Sequence, residues 1–96
     1  MVEERLNQWK FNKVGNLRAM IASLDTILWP ELNWKACGLQ DLILPSQVKS
    51  KYIRAIAKLH PDKLSTKESV EHKLLASGIF SILNENWDQF KAQNGL

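Results

Sequence analysis

The sequence predicts an all-α domain, on three observations. Apolar residues recur at helical steps of three and four along the chain, and proline and glycine separate these periodic segments. No stretch of any length shows the alternation that is typical of a β-strand. At 96 residues, 45% hydrophobic and 24% charged, the chain is expected to be one soluble domain with a single modest core.

Residues 1–14 are predicted to form an N-terminal extension to the main domain, residues 15–96. The extension holds a short helix from about Glu3 to Phe11, whose expected anchors are Leu6, Trp9 and Phe11. Gly15-Asn16 then separates it from a helix over about 16–29, which Pro30 ends. The apolar residues of this second helix are Leu17, Met20, Ile21, Leu24, Ile27 and Leu28.

Residues 30–44 form a connection that is long for a helical bundle. Such loops are usually functional or carry a small packed element of their own. The residues expected to attach it to the core are Trp34, Leu39, Leu42 and Ile43.

The next helix is predicted from about 45 to 59. Pro45 suits a first helical turn, whereas Pro61 cannot continue a helix and moves His60 out of the α region. Lys49, Ile53 and Arg54 turn away from the apolar face of this helix. Lys51 and Lys58 can bury their stems while their charges stay in water.

A loop over 60–68 leads to the last helix, over about 69–93. Its core stripe is Ala76, Ile79, Phe80, Leu83, Trp87 and Phe90. His72 is expected at the boundary of the core.

Positive charge is concentrated in one place. Residues 45–63 carry five cations and one anion, a net +4, while the whole chain carries +3. The helix and its loop therefore predict a partner with a local acidic patch.

Other classes of function have weaker support. His60, Asp62, His72 and Cys37 are possible metal ligands, but they show no zinc spacing. A general-base role for His60 lacks a nucleophile motif or a phosphate loop, so neither an enzyme nor a cofactor is expected. The single cysteine excludes an internal disulfide, and neither a membrane span nor a signal peptide is apparent. A nucleic-acid-binding basic helix stays open as an alternative.

The stretch VKSKYIRAIAKLHPDK resembles helix II and the His-Pro-Asp loop of J-domains, with Tyr52 at the family's usual tyrosine position. The segments NLRAMIASLDTILWPELNWK, LQDLILPSQVK, HPDKL and IFSILNENWDQFKAQNG are similar to the J-domains of the auxilin and cyclin-G-associated kinase family. That group carries an extra N-terminal helix and a long loop between helices I and II.

The chain departs from the family pattern at three positions. Ile53 stands where J-domains usually have Lys or Arg, so one electrostatic contact is lost or replaced by an apolar one. Leu44 stands where a capping residue is expected, and Asn86 stands where alanine is common.

The resemblance implies a co-chaperone that activates ATP hydrolysis by a seventy-kilodalton heat-shock chaperone in its ATP-bound form, during disassembly of clathrin coats. The implied contact residues are His60, Pro61, Asp62, Lys63, Lys49, Lys51, Tyr52 and Arg54. Asp62 would pair with a chaperone arginine, and His60 and Pro61 would shape the turn that presents it.

The expected setting is the cytoplasm at clathrin-coated vesicles, with clathrin bound through regions outside this chain. We expect a monomer that neither binds nucleic acid nor inserts into membranes. A J-domain of another chaperone pathway stays open as the second alternative.

Overall fold

The computed structural model describes residues 2–61, 64 and 68–96. Over these ranges the chain is helical and contains no strand, which confirms the predicted all-α class. The helices are α1 (Val2–Lys10), α2 (Leu17–Ala22), α3 (Pro45–Leu59) and α4 (Val70–Asn94). Short 3₁₀ turns at Leu24–Thr26, Pro30–Leu32 and Leu39–Asp41 connect α2 to α3. No helix in the described part of the chain is both long and apolar enough to cross a bilayer.

Helix α1 packs against α4, with Trp9 buried in the core. Gly78 permits this close approach, because a Cβ atom at that position would overlap the side chain of Leu6. The prediction that Phe11 is an anchor is wrong, since its side chain is 71% exposed. Helix α1 ends at Lys10, so Phe11 lies in the following turn and no longer shares the helical face of Leu6 and Trp9.

Helix α2 starts at a side-chain cap and ends early. The Asn16 Oδ1 atom accepts a hydrogen bond of 3.1 Å from the Ala19 N–H. The helix stops at Ala22, so the prediction of a continuous helix over 16–29 is wrong. The Ser23 hydroxyl donates to the carbonyl of Ala19 at 2.9 Å, the kind of local bond by which serine competes with helix continuation. Leu24 and Ile27 stay buried because the chain continues through a 3₁₀ turn.

The start of α2 is joined to α4 by a buried amide. Asn86 is 5% exposed, and its Oδ1 accepts a 2.7 Å hydrogen bond from the Gly15 N–H. Its Nδ2 donates to the Ile82 carbonyl at 2.8 Å. The departure from alanine at this position therefore makes a specific bridge between two segments.

The 30–44 loop is attached to the core mainly through Leu42, which is fully buried. Trp34 is partly buried against the core, as expected. The same expectation is wrong for Leu39 and Ile43, which are 60% and 66% exposed. Backbone carbonyls take over that role, because the guanidinium of Arg18 donates to the carbonyls of Leu42 at 2.7 Å and Ile43 at 3.1 Å.

Helices α3 and α4 run antiparallel. Tyr52 near the middle of α3 stacks on Trp87, and His60 after its end lies against Phe80, so chain positions increase along α3 as they decrease along α4. The largest fully buried side chains are Met20, Ile21, Leu24, Leu42, Val48, Leu59, Leu75, Ile79 and Leu83. The antiparallel pair of α3 and α4 therefore supports both the exposed cations of α3 and the turn at His60 that follows it.

Candidate chaperone-docking site

The described residues His60 and Pro61 form a sharp turn directly after α3, which we call the tip. His60 adopts φ −60° and ψ 134°, an extended conformation, and its N–H still donates to the Ile56 carbonyl at 2.9 Å. This conformation agrees with the restriction that Pro61 places on the residue before it. The chain therefore leaves the helix axis abruptly at His60.

The His60 ring is positioned by α4. It meets the ring of Phe80 edge to face, with centroids 5.8 Å apart and an interplanar angle of 78°. The Pro61 carbonyl accepts a hydrogen bond from the Leu64 N–H at 3.3 Å. The predicted site residues Asp62 and Lys63 lie outside the described residues.

The outward face of α3 carries two of the predicted cations. Lys49 and Arg54 are exposed, together with the small residues Ser50 and Ala57 and the larger Ile53. Over the described ranges a salt bridge joins Arg5 to Glu71, and the His72 ring lies 3.4 Å from the Glu68 carboxylate; neither pair involves α3. The cations of this face are therefore available to an external anion.

Lys51 lies on a different side of α3, next to the 30–44 loop. It is half-buried, as is Lys58, whose Nζ donates to the Leu32 carbonyl at 2.8 Å. The sequence-based expectation that both stems lie against the protein agrees with these positions.

A basic cleft of about 190 Å³ opens between the loop and α3. Its lining residues are Asn33, Trp34, Lys35, Lys51, Arg54 and Lys58. The convergence of Lys35 with the α3 cations was not predicted, because the loop has no periodic pattern from which to place it. The spacing of Lys51, Arg54 and Lys58 at three and four residues could have indicated a common cationic strip.

Tyr52 faces α4 rather than the outward surface. Its hydroxyl donates to Asn84 Oδ1, and its ring stacks on Trp87 with centroids 4.7 Å apart. Burial raises the pKa of the Tyr52 hydroxyl, and the nearby carboxylate of Asp88 raises it further. The structure thus separates Tyr52 from the exposed cations with which it was predicted to act.

Helix α3 begins without the usual capping side chain. Gln47 compensates in part, because its Oε1 accepts a 2.8 Å hydrogen bond from the Leu44 N–H. This is half of a capping box, which satisfies one of the free amides at the helix start.

Of the candidate metal ligands, His60, His72 and Cys37 lie within the described residues and Asp62 lies outside them. His72 stacks on Trp29 with centroids 4.1 Å apart, and Cys37 lies in the loop, where burial raises the pKa of its thiol. Within the described residues, no three His, Cys, Asp or Glu side chains form a group that could hold a metal ion.

No known family model matches this chain, but several known proteins are similar to it. It is 53% identical over 95 residues to the UBA domain-containing protein 7 of Schizosaccharomyces pombe. It is 43% identical over 96 residues to the auxilin-like clathrin uncoating factor SWA2 of Saccharomyces cerevisiae. These alignments each cover 99% of this chain and 14% of the relative.

A third relative carries the domain in its name. The J domain-containing protein required for chloroplast accumulation response 1, from Arabidopsis thaliana, is 38% identical over 90 residues, which cover 93% of this chain and 14% of the relative. The chain belongs to the auxilin-like J-domain family. The chain spans about one seventh of the length of these relatives.

Within this J-domain, the family's two distinguishing parts have clear structural positions. Helix α1 lies on α4 through Gly78, and the long loop lies beside α3, where it contributes Lys35 to the basic cleft. The 30–44 loop of this auxilin-like J-domain thus enlarges the cationic surface beside α3.

Proposed function

We propose that this J-domain is a co-chaperone module that stimulates ATP hydrolysis by a seventy-kilodalton heat-shock chaperone. The observation that carries the proposal is the outward face of α3, where Lys49 and Arg54 have no carboxylate partner among the described residues. That face leads directly to the sharply turned tip at His60 and Pro61. Such a surface fits an acidic partner that also receives the tip.

Each part has a separate role in the proposed contact. Lys49, Arg54 and the half-buried Lys51 attract the acidic patch and orient the encounter. Pro61 restricts the turn, and His60 braces it against Phe80. In the proposed contact Asp62, the next residue in the sequence, pairs with a chaperone arginine.

Lys63 and Tyr52 complete the proposed site in different ways. Lys63 adds a cation beside Asp62 in the sequence. Tyr52 acts through packing, because its ring and hydroxyl hold α3 against α4. A rigid α3 fixes the distance between the cationic face and the tip, so both can engage one partner.

The chemistry in this proposal takes place in the chaperone, and the J-domain itself is not an enzyme. A single helix face and a loop form an interface at the small end of the known range, so we expect micromolar affinity that weakens as salt increases. The J-domain acts as a monomer.

The proposed setting is the disassembly of clathrin coats, at coated vesicles in the cytoplasm. It is supported by the relative that is named as an auxilin-like clathrin uncoating factor. Residues 15–96 serve as the J-domain and residues 1–14 as an extension, while clathrin is bound by other parts of a longer protein.

The first experiment measures single-turnover ATP hydrolysis by a purified seventy-kilodalton chaperone with this chain added. Asp62→Asn should abolish stimulation, because removing one member of a desolvated ion pair costs about 2–5 kcal/mol. The matched control is Asp88→Asn, an exposed carboxylate on α4, which should stimulate like the wild type. Equal stimulation by wild type and Asp62→Asn would rule out the proposal.

The second experiment tests the setting. The chain is fused to a clathrin-binding segment and added to assembled coats with the chaperone and ATP. Release of clathrin supports the uncoating role. Stimulated hydrolysis without release would instead assign the J-domain to another chaperone pathway.

A further inference from the structure

Ile53 is the large apolar side chain that α3 exposes most. It is 53% exposed and lies on the outward face. Two of its neighbours along that face are small, because Ser50 precedes it by three residues and Ala57 follows it by four, both exposed. The Ile53 side chain therefore rises above these two neighbours.

Cations border this projection on both sides. At about 100° per residue, Lys49 lies on one edge of the outward face and Arg54 on the other, with Ile53 between them. Both cations are exposed, and neither has a carboxylate partner in the described part of the chain. We call the Ile53 side chain the knob, and the two cations that border it, Lys49 and Arg54, the charged frame.

The position of the knob connects it to the tip. Seven residues separate Ile53 from His60, a distance of about 10 Å along a helix axis. A partner that receives the tip and neutralises Lys49 and Arg54 therefore covers Ile53 as well. An isolated exposed apolar residue needs no explanation, but one enclosed by the docking cations does.

We infer that Ile53 is a specificity-determining contact, which enters an apolar recess bordered by acidic groups on the chaperone. This inference rests on the proposed function. The charged frame supplies attraction and orientation, whereas the knob supplies apolar burial and discriminates between chaperones with and without the recess.

The test measures the affinity of the full chain for a purified ATP-bound seventy-kilodalton chaperone at several salt concentrations. Ile53→Ala removes three carbon atoms and should weaken binding about tenfold, equivalent to about 1.4 kcal/mol. The slope of affinity against salt should stay unchanged, because no charge is lost. Lys49→Ala should flatten that slope, since one charge contact disappears.

Two further variants serve as controls for the knob. Ile53→Met keeps a long apolar side chain and should bind within about twofold of the wild type. Phe11→Ala removes a different exposed apolar side chain, in the turn after α1 and outside the docking face, and should leave affinity unchanged. Thermal unfolding of each variant confirms that the fold is retained, as expected for exposed positions.

The outcomes separate the two proposals. If Ile53→Ala binds like the wild type while Asp62→Asn still abolishes stimulation, the inference about Ile53 is wrong and the proposed function stands. If Ile53→Ala loses affinity and Ile53→Met restores it, the apolar contact is supported. If the wild-type chain neither binds nor stimulates the chaperone, both proposals are wrong.

Discussion

Replacing Asn86 by alanine is expected to destabilise the fold by about 1.4 kcal/mol. The substitution removes the buried acceptor of the Gly15 N–H, a bond of 2.7 Å. A buried donor left without its partner costs about 2 kcal/mol, and alanine returns about 0.6 kcal/mol through its higher helix propensity. For a domain of this size the net loss lowers the melting temperature by about 6–11 °C.

The matched control for this prediction is Asn94→Ala. Asn94 makes the same kind of bond inside α4, from its Nδ2 to the Phe90 carbonyl at 2.8 Å, but it is exposed and bridges no second segment. Its replacement should change the free energy of unfolding by less than about 0.5 kcal/mol. Urea denaturation followed by circular dichroism measures both variants. Equal stabilities for the two would refute the reasoning, because the bridge to Gly15 would then contribute nothing.

Two other predictions concern the contacts of α4 with its neighbours. Tyr52 is the only tyrosine, so phenolate absorbance reports its ionisation alone. Burial and the Asp88 carboxylate raise the pKa of the Tyr52 hydroxyl above 10.0. Its contribution to the stability of the fold is therefore present below pH 10.0 and is lost as the pH rises through the folded-state pKa. An identical ionisation midpoint for Tyr52 in the folded and the urea-unfolded chain would contradict this prediction. Gly78→Ala should force the Leu6 side chain to move and loosen the packing of α1 on α4, seen as faster hydrogen exchange of the α1 amides. Leu6→Ala in the same chain should relieve the overlap, and unchanged exchange in Gly78→Ala alone would argue against tight α1 packing.

Part of this fold is readable from the sequence because local chemistry decides it. Pro45 and Pro61 bound α3 through the fixed backbone angle of proline, and the structure places the helix at Pro45–Leu59. The core stripe of α4 follows from a long run of regular periodicity. In both cases the deciding interactions lie within a few residues of one another.

The rest depends on one local bond that periodicity does not reveal and on contacts between distant segments. The early end of α2 follows from the Ser23 hydroxyl and from packing that a 3₁₀ turn satisfies as well as a helix. Apolar character alone suggested Leu39 and Ile43 as anchors, but Arg18 holds the loop through backbone carbonyls, which no side-chain pattern reveals.

In the candidate site, too, the features that depend on nearby residues were predictable and those that depend on distant contacts were not. The order of Lys49, Arg54, His60 and Pro61 along the chain was sufficient to place them on an outward face and a tip. The inward orientation of Tyr52 was not predictable, because it depends on Trp87 and Asn84 far along the chain.

Arg18 has a consequence for how much change the long loop can tolerate. Its guanidinium lies 5.0 Å from the centre of the Phe90 ring and holds the carbonyls of Leu42 and Ile43, so the last residues before α3 are fixed from α2 and α4. The start of α3 is therefore positioned independently of the exposed residues Lys35 and Ala36 earlier in the loop. A fluorophore or a short peptide inserted at Ala36 would report on the neighbourhood of the docking helix without moving it.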